Sequence, residues 1–185
     1  MSTQPYEQAI AVSRGVLEGV KADQMAASTP CASWDVSGLI NHMVGAQGFF
    51  KAGLEGSPPG DTDTDYAAGD YLVAFDEASG ASLASFQAEG ALGKTVSLPF
   101  GDMPGAAFMG LAINDTFTHA WDLAKATGQS TDLAPELAAG ILAQAKMAIQ
   151  DSFRGEEGSP FGPQKDCPEG ASAADELAAF LGRDV

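Results

Sequence analysis

Apolar residues recur at steps of three and four through most of the chain, the spacing that lines one face of a helix. Tyr6, Ile10, Ser13, Leu17 and Val20 form the first such stripe and predict a helix over about residues 5–23. Ser28-Thr29-Pro30-Cys31-Ala32-Ser33-Trp34-Asp35 then breaks the pattern. Pro30 disfavours helix at the residue before it, and Ser33 or Asp35 suits the N-cap of the next helix. Val36, Leu39, Ile40, Met43 and Phe50 mark that second helix, which ends between Gly53 and Gly56. Residues 57–65 read as a solvated loop, and Tyr71, Leu72, Phe75, Ala78, Leu83 and Phe86 predict a third helix to about Glu89, weakened at Ser79-Gly80.

Between residues 94 and 105 the period changes. Thr95-Val96-Ser97-Leu98 alternates, Gly101-Asp102 is a turn signal, and Pro99 and Pro104 oppose helix, so a short hairpin or ordered loop is expected. A fourth helix follows over about residues 106–126 and stops at Gly128, a natural left-handed cap. Its apolar residues, among them Phe108, Met109, Leu111, Ile113, Phe117 and Trp121, go nearly all the way round, which places it inside a bundle. A fifth helix over about residues 135–151, a glycine- and proline-rich tail over 155–170 and a short last helix over 173–181 complete the chain. The expected fold is all-α. It is an antiparallel bundle of four or five helices with a short hairpin or loop before the fourth and a small C-terminal helix, residues 1–185 forming a single domain.

Charge narrows the function. With 25 acidic against 9 basic side chains, the net charge of −16 makes the chain a poor ligand for nucleic-acid phosphates or acidic lipid headgroups. Cys31 and Cys167 cannot form a disulfide framework or a cysteine zinc knuckle, which suits a reducing compartment. The longest apolar segment, residues 105–113, is far short of the ~20 residues of a membrane span, and the polar N-terminus lacks the pattern of a leader. A soluble, cytoplasmic protein is expected. The alternating aspartates near Asp61 do not make a calcium loop, because Tyr66 and Leu72 stand where an EF-hand needs glycine and glutamate.

The chain has only two histidines, His42 and His119, and both fall in the middle of predicted helices. Asp115 lies one turn before His119, on a face shared with Phe108, Leu111, Ala112 and Asp122. An aspartate among such neighbours needs a partner, a proton or a cation. A divalent metal held by His42, Asp115 and His119 would meet that need and keep coordination positions open. The small residues around His42 on its own helix face, Gly38, Gly45 and Ala46, would leave room for the metal and a ligand. The other reading is a hydrogen-bonded core histidine beside a surface Asp–His pair, and periodicity cannot bring His42 to the others. Asp122 could orient a ligand or pair with a basic residue, Trp34 and Trp121 flank the two histidines as packing residues, and Cys31 is either a reactive thiol or a small packed side chain. None of the three arginines, Arg14, Arg154 and Arg183, belongs to a substrate-binding motif.

Thr29-Pro30-Cys31-Ala32-Ser33-Trp34-Asp35-Val36, followed by Leu39, Asn41 and His42, resembles the first signature of the mycothiol-dependent maleylpyruvate isomerase type of metal-binding domain, within the DinB-like superfamily. The run from Asp115 to Gly128, with its His119-Ala120-Trp121-Asp122-Leu123-Ala124, is similar to the second. Phe161-Gly162-Pro163 and Leu177 to Asp184 resemble an actinobacterial single-domain subgroup. The resemblance implies a DinB-like four-helix bundle with His42, Asp115 and His119 as metal ligands. It also implies a divalent cation, zinc first and nickel or iron as alternatives, with mycothiol as cosubstrate. The implied activity is activation of a low-molecular-weight thiol for S-transfer to a small electrophile, or for transient addition in an isomerisation. The isomerase itself resembles a two-domain arrangement, whereas here only a tail and one short helix follow the fifth helix. The competing class is a non-catalytic metal- or small-molecule-binding bundle, or a homodimeric interaction protein; iron-dependent oxygen activation is a third chemistry open to two histidines and a carboxylate.

Overall fold

The computed structural model describes residues 2–32, 34–58, 60, 63–155 and 161–185. Its elements run α1 (Gln4–Glu18), α2 (Val36–Glu55), α3 (Tyr71–Gln87), β1 (Thr95–Leu98), β2 (Gly101–Pro104), α4 (Gly105–Thr127), α5 (Pro135–Ala148) and α6 (Ala173–Phe180), joined by short 3-10 turns. The expected helical bundle with a hairpin before its fourth helix is therefore the fold. None of the described helices is long and apolar enough to cross a membrane.

Most helix ends follow local chemistry. The Asp35 carboxylate accepts from the Gly38 amide at 2.8 Å and starts α2, while Ser33, the other cap candidate, lies outside the described residues. Gly56 and Gly128 close α2 and α4 in the left-handed region, both at φ +69°. Three ends differ from the periodic expectation. The first helix stops at Glu18 because Gln129, from beyond α4, donates to the Val16 carbonyl and caps it from outside. The third runs unbroken through Ser79, which is buried, and ends at Gln87. The fifth ends at Ala148, and Asp151–Phe153 is a separate 3-10 turn.

In the hairpin, Leu98 pairs with Gly101 and Val96 with Met103, so the reversal lies at Pro99-Phe100 and not at Gly101-Asp102. Gly101 takes φ +128°, which only glycine adopts freely. Val96 is buried and fastens the hairpin to the bundle.

Helices α1 to α4 pack as a ring in which α2 touches α3 and α4, and α1 touches α3 and α4. His42 of α2 faces Asp115 of α4 while Gly53 faces Phe108, so these two helices are antiparallel. Tyr6 with Ser82 and Arg14 with Asp76 give α1 and α3 the same relation. The other two pairs run parallel, unlike the all-antiparallel arrangement expected: Asn41 of α2 reaches Ala67, in the turn before α3, and Glu55 reaches Ser85, while Ser13 of α1 meets Thr116 of α4 and Val16 meets Gln129 just beyond it. A parallel pair needs a connection that travels back along the helix. Ahead of α3, Asp65 and Ala67 are fastened to the start of α2, where Asn41 donates to Asp65 and accepts from the Ala67 amide.

The core is divided. One apolar cluster holds Phe50, Leu54, Phe86, Phe108 and Phe117, and the other Val16, Leu17, Leu39, Ile40, Phe75 and Leu123. Between them lies a buried polar layer of Ser13, Gln47, Ser79, Ser82 and Thr116. Tyr6 donates its hydroxyl proton to Gln47 Oε1 at 2.6 Å and accepts from Ser82 at 2.9 Å. Gln47 donates to Thr116 Oγ1 at 3.0 Å, and Ser13 donates to the Thr116 carbonyl at 2.9 Å. Burial pushes the Tyr6 phenol well above its usual range, so it remains a proton donor. The candidate metal ligand Asp115 is the neighbour of Thr116, at the level of this layer.

Candidate metal centre

The loop before α2 is tied back on itself, and this places an indole against the site. Val36 and Ser37 donate their amides to the Ala27 and Met25 carbonyls, and the Thr29 hydroxyl bonds the Cys31 and Trp34 carbonyls. Trp34 then lies on Gly38, where a Cβ would stand only 3.2 Å from the indole. Its ring stacks on His42 with centroids 4.3 Å apart and meets the edge of His119 at 5.7 Å. Part of the room that small residues were expected to leave beside His42 is therefore filled by Trp34. Beside Gly45 the space is open.

His42, Asp115 and His119 come together. Asp115 Oδ1 stands 3.4 Å from His42 Nε2 and 3.6 Å from His119 Nε2, and one donor atom from each residue lies within 4.8 Å of the others. The two Asp–His distances are long for N–H···O hydrogen bonds, whose usual range is ~2.7–3.2 Å. Donors bound at ~2.0–2.1 Å to one tetrahedral cation stand ~3.3 Å apart, close to what is seen here. The side chains of His42 and Asp115 are 28% and 24% exposed and that of His119 is 10% exposed, so the cluster opens to solvent on the His42 and Asp115 side.

Asp122 meets both His119 and a basic residue. Its side chain is fully buried; Oδ2 accepts from His119 Nδ1 at 3.0 Å, while Arg183 donates from Nε to Oδ1 at 3.2 Å and from Nη2 to Oδ2 at 3.1 Å. An ionised carboxylate can only accept, so Nδ1 carries a proton, and in the neutral imidazole Nε2 is then the nitrogen whose lone pair faces Asp115 and His42. Burial pushes the Asp122 carboxyl up, but the His119 bond and Arg183 outweigh it and hold the group below the usual carboxylate range. Asp115 has the same balance: burial raises it, and His119, His42 and Arg183 bring it below its ordinary value.

Two nitrogens and one oxygen facing a shared centre, with one imidazole already oriented from behind, are a donor set suited to zinc, nickel or iron. The contribution of Arg183 was not legible in advance, since the Leu177 to Asp184 stretch that holds it resembles a subgroup and carries no substrate- or metal-binding motif, and only the fold brings it to Asp122. Trp121, read as a packing residue, is fully buried and donates its indole N–H to Asp175 of α6 at 2.8 Å. Cys31 and Cys167 are partly exposed thiols, and Cys31 lies within electrostatic reach of Arg183.

Comparison with known proteins bears on this geometry. The model of the mycothiol maleylpyruvate isomerase N-terminal domain matches residues 6–124, a span that contains the whole triad and Asp122. Two uncharacterized proteins of Mycobacterium tuberculosis, from strains CDC 1551 / Oshkosh and ATCC 25618 / H37Rv, are each 46% identical over 171 residues, covering 92% of this chain and 91% of the relative. No solved structure gives a significant match.

Proposed function

Since the chain belongs to the mycothiol maleylpyruvate isomerase N-terminal domain family, which is DinB-like, we propose that it is a divalent-metal-dependent enzyme that activates a mycothiol-like thiol towards a small electrophile. The observation that carries the reading is the convergence of His42, Asp115 and His119 donor atoms within 4.8 Å. The residues present fit a cation in spacing, in donor type and in the orientation of His119.

Such a cation, when bound, lowers the pKa of a thiol so that a thiolate is available at neutral pH. The rest is the work of the chain. Asp115 supplies a negative charge that offsets part of the cation's, and the two imidazoles supply neutral donors. The Asp122 bond keeps the His119 lone pair aimed at the centre. Trp34 walls one side of His42 with an apolar face, restricting water there. The exposed flank of His42 and Asp115 is the route by which a small thiol and its electrophile approach. After the thiol adds to the electrophile it either stays on the product, which is S-transfer, or leaves after rotation about a former double bond, which is isomerisation. Residues 1–185 act in this reading as one domain, supported by the packing of α6 on α4 and α5.

Metal analysis of the purified protein and of His119→Ala tests the site: about one cation per chain is expected in the first and a severalfold loss in the second. Conjugation of mycothiol to a generic electrophile, with and without chelator, tests the chemistry. Stoichiometric metal without metal-dependent turnover would replace the enzyme by a non-catalytic metal-binding bundle, and no metal in either protein would overturn the centre.

A further inference from the structure

The segment after α5 lies beyond the span matched by the family domain, yet it reaches the back of the candidate metal centre. Helix α6 packs on α5 and α4, burying Leu177 and the following Leu181, both 1% exposed, in the first apolar cluster, and is tied to α4 by the Trp121–Asp175 bond. It ends in a Schellman turn: the Arg183 amide bonds the Ala178 carbonyl at 2.9 Å and the Gly182 amide the Ala179 carbonyl at 3.0 Å, with Gly182 at φ +95°. A Cβ on Gly182 would stand 2.8 Å from the Gly162 backbone, so both its conformation and its surroundings require glycine. This turn aims the next side chain, Arg183, at Asp122.

All three guanidinium nitrogens of Arg183 are engaged within the chain. Nε and Nη2 meet the two oxygens of Asp122, and Nη1 donates to the Leu181 carbonyl at 3.1 Å. The side chain is 16% exposed. An arginine meant to hold a substrate anion would keep part of its fork open to the site, and this one does not. The planar fork instead fixes the rotation of a carboxylate by two parallel bonds, which a lysine cannot do. The carboxylate so fixed is the one that accepts from His119 Nδ1.

We propose that Arg183 is a positioning residue for the metal centre, holding Asp122 in the orientation that aims His119, so that the C-terminal segment sets the affinity of the centre for its cation. This rests on the metal reading of His42, Asp115 and His119. Partners that orient a metal-ligating histidine from behind typically govern metal affinity by ~10–100-fold. Because Arg183 acts through Asp122, its effect vanishes once Asp122 can no longer be held.

The test is a cobalt(II) titration of the metal-free protein, followed by its visible absorption, for the native chain, Arg183→Gln, Arg183→Lys, Asp122→Asn, the Arg183→Gln/Asp122→Asn double variant and Asp175→Ala. Circular dichroism of each metal-free protein confirms folding. The expected results are affinity at least ~10-fold weaker in Arg183→Gln, intermediate in Arg183→Lys, and no weaker in the double variant than in Asp122→Asn. Asp175→Ala removes the bond from Trp121 but leaves the buried Leu177 and the turn that carries Arg183 in place, so it should stay within about twofold of the native chain. If Arg183→Gln fails to fold, Arg183→Lys and its pairing with Asp122→Asn carry the same comparison. Native affinity in Arg183→Gln, an equal loss in the Asp122→Asn background, or an equal loss in Asp175→Ala each overturns the proposal. A native chain that binds no cobalt overturns the metal reading itself, a different outcome from native binding that is indifferent to Arg183.

Discussion

Two glycines in α2 should respond in opposite directions to the same substitution. Gly48 and Gly53 both lie inside the helix, where replacing glycine by alanine contributes about 0.5–1 kcal/mol by reducing backbone freedom in the unfolded chain. A Cβ at Gly48 meets nothing within 4 Å, so Gly48→Ala should keep the whole gain. At Gly53 the added carbon would stand 2.8 and 2.9 Å from two carbons of the Phe108 ring and 3.3 Å from Leu98. Leu98 is partly exposed and can yield. Phe108 cannot: it is fully buried and packed against Phe49, Phe50 and Phe86 with centroids 5.6 to 6.0 Å away. Forcing a methyl into such a place costs about 1–3 kcal/mol. Overpacking therefore wins, and Gly53→Ala should lose about 1 kcal/mol net. At about 2–4 °C per kcal/mol for a chain of this size, the variants should melt on either side of the native protein, about 5 °C apart. Thermal and urea unfolding of the metal-free proteins measure this, and Gly53→Ala melting at or above Gly48→Ala would refute the reasoning. Because α2 and α4 carry all three candidate ligands, the wedge in Gly53→Ala should also weaken metal binding, whereas Gly48→Ala should leave it unchanged.

Tyr6→Phe removes the hydroxyl that joins Gln47 and Ser82 and leaves both with a lost partner, so it should destabilise the chain by about 1–3 kcal/mol in urea unfolding; a neutral result would mean the layer is wetter than it looks. Asp35→Ala removes the N-cap of α2 and should cost about 1 kcal/mol, with Asp35→Asn largely sparing it in the same measurement. The carboxyl of Asp122 is held below its unfolded value in the folded state, so its contribution to stability is complete above pH ~4 and is lost as pH falls through the lower folded value. Stability of the native chain should therefore fall more steeply below pH ~4 than that of Asp122→Asn; parallel slopes in urea melts at stepped pH would contradict the assignment.

Sequence patterning reached the helices and the triad by different routes. Gly56, Gly128 and Asp35 act through their own backbone and side chain, so their roles as stops and starts were readable locally. The end of α1 was not, because its cap is Gln129, more than a hundred residues away. The turn at Pro99-Phe100 was misplaced by two residues because Gly101 takes its positive φ inside the strand pairing, a conformation that composition cannot distinguish from a turn. Asp115 and His119 share a helix face by spacing alone, but the approach of His42 depends on the antiparallel packing of α2 on α4. The outer support is harder still to foresee. Asp122 left two partners open, a histidine and a basic residue, and its two oxygens meet His119 and Arg183 at once. Ser13 already stood on the first stripe, whereas Ser79 read as a weak point because a polar residue on a core face breaks the apolar period; it is buried, and α3 runs through it.

That layer of Ser13, Gln47, Ser79, Ser82 and Thr116 also acts as a gauge of axial position. Apolar clusters on both sides would accept a sliding of one helix past another with modest loss, since one leucine contact resembles the next. The polar groups would not. A slip of α4 by one turn, about 5.4 Å, would carry Thr116 away from Gln47 and Ser13 and leave several buried hydrogen-bonding groups without partners, at about 1–3 kcal/mol each. The same slip would move Asp115 and His119 a full turn away from His42. One layer thus fixes the height at which the three ligands meet, and the bundle gives up some apolar packing to hold a single alignment in which the site exists.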